Sequence, residues 1–580
     1  MTMQAVYNIA EICAQHGITD VVLSPGSRSA PLALAFARHP AFKGHVRVVP
    51  DERAAAFIGL GIAQATRRPV VLVCTSGSAG LNYAPAVAEA YFQQIPLLIL
   101  TADRPPEWID QLDGQTIRQR NLYGAHAKGA FEFPVDTSHP DTKWYSARII
   151  NEAINLAQVA PAGPVQVNVP LREPFYPKAG EVIEYEQDVK IIREVPSSPE
   201  MHQSKLLEHM AELQSAGRVL VVAGQQPYND GLNEALEDFV RTYGVPIIAD
   251  SIANQGTNSI ANQDNNAFTF NKHDVFLAGL SEAQKNDLRP EILITFGQSL
   301  ISKSLKLFLR NASPRQHWHV QATGEAADTF RGLTSLIRME PKDFFSRFSQ
   351  ETLTADAESL APWQLAESKA SAFLVRFFDA ANQPFNEFSA FRSALAALSD
   401  NTALHLANSM AVRYANIFGI PQGRQIEVFA NRGTSGIDGC TSTAVGAALA
   451  QPGRPVVLLT GDVAFFYDRN AFWHNYPTPN LRVVLFNNHG GGIFRMIDGP
   501  RQQPELDEFF ETRQALTAEN TARDFNLRYF PVSSFAELDA ALPVFFAAES
   551  GAAILEVFTD SKTNAAFFEE YRSAVKAAFA

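Results

Sequence analysis

The chain has 580 residues, 46% hydrophobic and 19% charged, with a mean hydropathy of −0.09. That is the composition of an ordinary globular protein too long for a single core, so roughly two to four domains are expected. A formal net charge of −13 and the lack of any block of clustered Lys/Arg argue against nucleic acid or an anionic membrane as partner, because both need a basic footprint. Cys13, Cys74 and Cys440 form no C-x-x-C pair, which speaks against a disulfide framework and for a reducing cytoplasm. No signal peptide is expected in Met1–Gly17, which lacks a basic stretch followed by an apolar one. No membrane insertion is expected, since no apolar run approaches the ~18 residues of a span.

The first third alternates helical and strand-like patterns. Ala5–Gln15 has helical apolar spacing and stops at Gly17. Apolar runs at Val21–Leu23, Val46–Val49, Val70–Cys74, Leu97–Thr101 and Val165–Val169 have the length of buried parallel strands. A mixed, Pro/Ser-bearing stretch at Glu184–Glu200 reads as a linker. A second series follows at Val219–Ala223, Pro246–Ala249, Ile292–Phe296 and His317–Val320. A polar, acidic gap at Glu351–Pro362 separates it from a third, at Ala403–Leu406, Glu427–Phe429, Val456–Thr460, Arg482–Phe486 and Ala553–Val557. The expected fold is α/β, with three doubly wound parallel-sheet domains spanning residues 1–185, 195–352 and 362–580.

Ligands of open parallel sheets sit at the carboxyl ends of strands. Polar and glycine-rich segments fall there at Ser24–Ser29, Asp51–Arg53, Thr75–Gly80, Ala102–Glu107, Asn431–Gly439, Gly461–Asp462 and Asn487–Gly492, in the first and third domains only. Gly461-Asp462 follows VVLLT, and Asn487-Asn488 follows RVVLF after 24 intervening residues. One carboxylate and one amide oxygen at such ends suit Mg²⁺ held against a diphosphate, with helix N-termini donating to the phosphates. Each dipeptide alone also reads as a turn or cap. Their spacing resembles the thiamine-diphosphate motif G-D-G…N-N, with Val463 in place of the last glycine. Asp51-Glu52 opens the helical stretch AAAFIGLGIAQAT. Capping occupies one of the two acids and leaves the other for chemistry.

The segments SPGSRSAPL, VPDERAAAFIGLG, VCTSGSAG, LTADRPPE, GQTIRQ, NSMAVR, NRGTSGIDG, GDVAFFYD and NNHGGGIF occur in this order across nearly the whole chain. Together they closely resemble the MenD family, the 2-succinyl-5-enolpyruvyl-6-hydroxy-3-cyclohexene-1-carboxylate synthases of menaquinone biosynthesis. In that family the last glycine of G-D-G is usually replaced, so Val463 fits. The resemblance implies pyrimidine-binding, central and diphosphate-binding domains. It also implies a homodimer or homotetramer whose active sites lie between subunits, and the cofactors thiamine diphosphate and Mg²⁺, or Mn²⁺ in its place. The implied reaction decarboxylates 2-oxoglutarate and adds the resulting succinyl-semialdehyde carbanion to isochorismate.

By the same resemblance Glu52 is the catalytic acid, paired with N1′ of the aminopyrimidine. Asp462, Asn488 and the Gly490 carbonyl hold the metal. Ile437 props the bent cofactor, or is simply core. Ser409 and Ile493 line the cofactor pocket; Phe494 lines it too, or is simply core. The substrates' carboxylates are matched by Ser27, Arg28, Arg104, Gln115, Ser409, Arg413 and Arg432, arginine being suited to bidentate carboxylate binding. Arg413 and Arg432 are assigned to the succinyl carboxylate, Arg28 and Arg104 to isochorismate. A surface arginine is ordinarily a solvated charge, but these four sit beside Gly/Pro turns at strand ends. Lys303 is carried over too, although the family's adjacent arginine is Ser304 here.

Other readings meet specific obstacles. His489-Gly490-Gly491-Gly492 copies a hydrolase oxyanion motif, yet Ser27, Ser76, Ser78 and Ser435 all fail the G-x-S-x-G spacing. VLVVAG followed by Gln-Gln lacks G-x-G-x-x-G, against a dinucleotide in the second domain. Another thiamine-diphosphate-dependent 2-oxoacid decarboxylase or carboligase would use the same acids but not the arginines. A binding subunit without activity would be expected to have lost Glu52.

Overall fold

Among the described residues eighteen short strands, most of them apolar runs buried on both faces, build three six-stranded parallel sheets. The structure, a computed structural model, describes residues 3–173, 175–178, 180–195, 201–255, 268–349 and 360–580. The first sheet contains β1 (Asp20–Leu23), β2 (Val46–Val48), β3 (Val70–Cys74), β4 (Leu97–Asp103), β5 (Gly129–Glu132) and β6 (Pro164–Pro170), in the order β2-β1-β3-β4-β6-β5. The second contains β7 (Val219–Ala223), β8 (Ile247–Ala249), β9 (Thr269–Phe270), β10 (Ile292–Phe296), β11 (Gln316–Val320) and β12 (Ser335–Ile337), ordered β12-β11-β10-β7-β8-β9. The third contains β13 (Thr402–Leu406), β14 (Ile426–Phe429), β15 (Val456–Gly461), β16 (Leu481–Asn487), β17 (Arg528–Val532) and β18 (Ala553–Phe558), ordered β14-β13-β15-β16-β18-β17. The first and third sheets share one topology. The second has the strand order of dinucleotide-binding folds.

The expected strands appear, β3, β7 and β10 with the expected ends and the rest with ends shifted by one or two residues. The sequence reading omitted β5, β9, β12 and β17, and all four are sheet edges. The linker expected at Glu184–Glu200 has no helix or strand through Val195. It lies along helices Gln4–Gln15 and Pro140–Gln158: Asn8 Nδ2 donates to Glu186 at 2.8 Å, and Asn151 Nδ2 to the Lys190 carbonyl at 3.0 Å. Residues 196–200, and 351–359 of the gap expected at Glu351–Pro362, lie outside the described residues.

The chain divides into two compact units. One comprises Met1–Pro196 with Asn431–Gly453 and Ala464–Leu481; the other comprises Ser197–Ala430, Arg454–Val463 and Arg482–Ala580. In the first unit, helix Glu52–Thr66 packs on helix Cys440–Ala450, which is buried along nearly its whole length. A helix apolar all round must be enclosed, and small residues let the two backbones meet. A Cβ on Gly61 would lie 2.0 Å from the Thr443 carbonyl oxygen, and one on Gly446 would lie 2.1 Å from that of Ile58.

In the second unit one core runs through elements of both sheets, with Phe388 stacked on Tyr414 at 4.4 Å. A buried polar network ties helix Met410–Phe418 into place. Asn416 Nδ2 donates to Asp250 at 3.0 Å and Asp274 at 2.7 Å, Asp250 also pairs with His273 at 2.9 Å, and Lys272 Nζ donates to the Phe418 carbonyl at 2.6 Å. At the switch point of the second sheet the loop amides bond one another. Gly224 N donates to Phe296 O at 2.8 Å and Gln298 N to Gln225 O at 2.9 Å, which occupies the donors a dinucleotide diphosphate would need.

Candidate active site

In the second unit, three neighbouring strands deliver polar residues at their carboxyl ends. β13 leads to Ser409, β15 to Asp462 and β16 to Asn487-Asn488. This is the topological switch point of the third sheet. Ser409 caps helix Met410–Phe418 at φ 72°, a left-handed conformation that costs a non-glycine residue about 1–3 kcal/mol and recurs where backbone is held for function.

Asp462 is 2% exposed. Its Oδ1 accepts from Val463 N at 2.8 Å; its Oδ2 accepts from Gly490 N at 2.7 Å and Gln514 Nε2 at 2.9 Å. Burial raises its carboxyl to about 6, with these hydrogen bonds opposing the rise. Its neighbours at the end of β16 divide their work. Asn487 is committed to structure: Nδ2 donates to Leu516 O at 2.9 Å and Glu556 at 2.7 Å, and Oδ1 accepts from His489 N at 3.0 Å. Asn488 donates through Nδ2 to Glu387 at 2.7 Å, while its Oδ1 is buried with no partner among the described residues. An orphaned buried amide oxygen beside a desolvated carboxylate calls for a cation.

The glycine run shapes the same place. A Cβ on Gly490 would stand 2.7 Å from the Glu511 carbonyl, and one on Gly492 would stand 2.9 Å from Asn488 Nδ2. Gly491 N donates to Glu511 O at 2.6 Å, so the 506–514 segment closes over the run. Ile493 and Phe494 open the next helical turn half-buried, with Phe494 6.0 Å from the Phe510 ring. Among the described residues no cluster of three or more His, Cys, Asp or Glu can hold a metal. A divalent cation here would therefore use Asp462, the Asn488 amide oxygen and the Gly490 carbonyl, completed by phosphate oxygens, a set that suits Mg²⁺.

Arg413 lies on helix Met410–Phe418, exposed and donating to the Ser409 carbonyl one turn back. Lys303 opens helix Lys303–Ala312, capped by Ser302, with an exposed side chain. No hydrogen bond joins Lys303 to the other candidates among the described residues.

The first unit holds the remaining candidates. The two acids at the end of β2 separate in function. Asp51 is the cap: Oδ1 accepts from Ala54 N at 3.1 Å and Oδ2 from Asn470 Nδ2 at 2.8 Å. Glu52, the first helical residue, accepts among the described residues only from Asn82 Nδ2, at 3.2 Å. Next to β2 in the sheet, β1 leads to Ser27 and Arg28. Ser27 Oγ lies 3.4 Å from Tyr176 Oη. The Arg28 guanidinium donates to Leu171 O at 2.8 Å and lies 4.5 Å from the centre of the Phe175 ring. Burial lowers the Arg28 pKa, and the charge of Arg104 lowers it further. Arg104, after β4, pairs with Asp113 and reaches Ser76 Oγ at 3.4 Å. Gln115, at φ 57°, passes over Gly77, where a Cβ would lie 3.4 Å from its Cα. The structure thus brings Ser27, Arg28, Arg104 and Gln115 together around the ends of β1, β3 and β4. Arg432 and Ile437, both half-buried, lie in the loop before helix Cys440–Ala450.

Three supporting residues escaped sequence reasoning: Glu387, Gln514 and Glu89. Glu89 is 1% exposed on helix Ala84–Gln93. Its two oxygens accept Gly433 N at 2.8 Å and Thr434 N at 2.7 Å, which fixes the loop that carries Arg432.

The comparisons with known proteins bear on fold and family. Residues 3–124 match the thiamine pyrophosphate enzyme N-terminal TPP-binding domain, 186–406 the middle domain of thiamine pyrophosphate enzymes, and 411–557 the C-terminal TPP-binding domain. The crystal structure of a benzoylformate decarboxylase from Polynucleobacter necessarius superposes with a TM-score of 0.69 over 96% of this chain and 98% of that one, at 17% identity, a likeness of fold. Fold and site define a thiamine-diphosphate enzyme that works with a divalent metal.

The narrower family follows from full-length relatives. A 2-succinyl-5-enolpyruvyl-6-hydroxy-3-cyclohexene-1-carboxylate synthase of Cytophaga hutchinsonii is 45% identical over all of both chains. Those of Porphyromonas gingivalis (38%, covering 97% of this chain and 96% of that one) and Flavobacterium johnsoniae (37%, covering 97% of each) are similar as well. The chain belongs to this synthase family, whose members are transferases.

Proposed function

We propose that the chain catalyses the synthase reaction of its family: decarboxylation of 2-oxoglutarate and conjugate addition of the resulting succinyl-semialdehyde unit to isochorismate, in menaquinone biosynthesis. The observation that carries the reading is the buried Asp462 carboxylate beside the orphaned Asn488 oxygen, at adjacent strand ends and above a glycine run. Thiamine diphosphate supplies the electron sink that decarboxylation of a 2-oxoacid requires. Asp462, Asn488 and the Gly490 carbonyl hold its metal. Ser409, Ile437, Ile493 and Phe494 line its pocket. Glu52, released from capping by Asp51, holds a proton at N1′ of the aminopyrimidine.

Both substrates are anions, and an acidic chain must attract them locally. Arg28 and Arg104, with Ser27 and Gln115, bind isochorismate; Arg413 and Arg432, with Ser409, bind the succinyl carboxylate, and Lys303 contributes a further positive charge. The nearness of Arg28 and Arg104 supports the first assignment, since two guanidiniums drawn together favour a polyanion. We divide the chain into a pyrimidine-binding domain (1–185), a central domain (195–352) and a diphosphate-binding domain (362–580). The working form is a homodimer or a pair of homodimers, each site combining Glu52 of one copy with Asp462 and Asn488 of another. Three buried cysteines that carry thiols rather than disulfides support a cytoplasmic setting, and no helix among the described residues is long and apolar enough to cross a membrane.

The test is release of carbon dioxide from 2-oxoglutarate by protein stripped with chelator and resupplied. Release only when thiamine diphosphate and Mg²⁺ or Mn²⁺ are both restored supports the reading; release without either refutes it. A decarboxylase or carboligase acting on other 2-oxoacids would show itself as equal use of pyruvate.

A further inference from the structure

Glu387 takes no part in the chemistry above, yet it is 5% exposed and sits beside the cation ligands. It opens helix Glu387–Ala396, whose cap is Asn386. Its Oε2 accepts Asn488 Nδ2 at 2.7 Å and Asn564 Nδ2 at 3.4 Å. Asn564 returns a second bond, its Oδ1 accepting the Glu387 N–H at 2.8 Å. The carboxylate is therefore held from behind by Asn564 and faces Asn488.

A primary amide has a donor end and an acceptor end that rotation about its last bond exchanges. Only one of the two orientations offers oxygen to a hard cation. An ionised carboxylate accepts hydrogen bonds and donates none, so in that form Glu387 accommodates the Nδ2 end of Asn488 and repels the Oδ1 end. The outcome is visible in the structure: Nδ2 is bonded and Oδ1 is buried without a partner. Gly492 leaves the space the amide needs, since a Cβ there would lie 2.9 Å from Asn488 Nδ2.

We propose that Glu387 is a positioning residue that locks the Asn488 amide with its oxygen towards the catalytic cation. This rests on the reading that Asp462 and Asn488 hold that cation. Metal-site partners of this kind typically change affinity 10- to 100-fold when removed.

The test titrates full-length protein carrying thiamine diphosphate with Mn²⁺ and counts bound ion by electron paramagnetic resonance. Glu387→Leu is expected to weaken Mn²⁺ binding by roughly 10- to 100-fold. Glu387→Gln, whose carbonyl can still accept from Asn488, should stay within about threefold of the parent. With Asn488→Ala already present, Glu387→Leu should cost less than about twofold more, because the residue it orients is gone. Glu387→Met replaces the leucine variant if the latter fails to fold. Parental affinity in Glu387→Leu beside weakened binding in Asn488→Ala overturns the role of Glu387 alone. Parental affinity in Asn488→Ala and Asp462→Ala overturns the cation site, and the proposal with it.

Discussion

The Asp462 carboxylate accepts the Gly490 N–H at 2.7 Å, joining the ends of β15 and β16 at the point where the cation is expected. One side chain would thus serve two purposes: ligand to the proposed cation, and anchor of the first turn of the glycine run. Asp462→Ala removes the negative charge and takes an acceptor from Gly490 N and from Gln514 Nε2, the latter keeping Asn487 Oδ1 at 3.3 Å. Calorimetric titration with Mg²⁺ and thiamine diphosphate should show binding weakened by about 2–5 kcal/mol, roughly 30-fold to a few thousandfold. Binding within a factor of about two of the parent would count against the site.

Glu52 makes a contrasting prediction. Asp51 supplies the cap, so Glu52→Gln leaves the helix intact and alters only the group offered to N1′. Exchange of the thiazolium C2 proton with deuterium, followed by NMR, should slow by at least about a hundredfold, the scale of a positioned acid–base group. Cofactor binding should stay near normal. If each site combines two chains, mixing Glu52→Gln chains with Asp462→Ala chains should restore turnover that neither has alone. Mixtures as inactive as their components would contradict the shared site.

Glu89 holds the Arg432 loop through Gly433 N and Thr434 N. Glu89→Ala removes two charge-assisted hydrogen bonds from part-buried N–H groups, each contributing about 1–3 kcal/mol. Denaturation should show that loss of stability. Steady-state kinetics should show a raised KM for 2-oxoglutarate, because the loop that carries Arg432 is no longer fixed. Unchanged stability and KM together would remove Glu89 from the account.

His405 on β13 is buried, lies against Phe429 at 4.9 Å, and its Nε2 has no partner among the described residues. Burial, with the charge of Arg454 adding to it, lowers its pKa to about 3. The unfolded chain binds a proton there near pH 6.5 and the folded chain does not, so stability is full above that pH and falls as pH drops towards 3. At pH 5 the loss from this residue is about 2 kcal/mol. His405→Leu should flatten the dependence by that amount in denaturant titrations at pH 8 and pH 5. An equal slope in parent and variant would contradict the assignment.

Central strands were legible in the sequence because they are apolar on both faces. Four of the six edge strands were not: β5, for instance, alternates half-buried with exposed positions, and in β17 Pro531 interrupts the strand pattern. The site shows the same divide. Glu52, Asp462 and Asn488 stand out through spacing and position at strand ends. Which acid caps and which of two asparagines turns to the cation depend on contacts distant in the chain. Glu387 reaches Asn488 across 101 residues, and Glu89 reaches Gly433 across 344. Asn386-Glu387 reads locally as an ordinary helix start, and Glu89 as one polar residue on an alanine-rich helix. Supporting carboxylates of this kind emerge only once the fold brings them to the loops they hold.

The most direct test of the central claim is mass analysis of products after incubating the protein with thiamine diphosphate, Mg²⁺, 2-oxoglutarate and isochorismate. The account predicts one product whose mass is the sum of the two substrates less carbon dioxide, with the enolpyruvyl group retained. Release of succinic semialdehyde with isochorismate untouched would contradict it and favour a simple 2-oxoacid decarboxylase on the same fold.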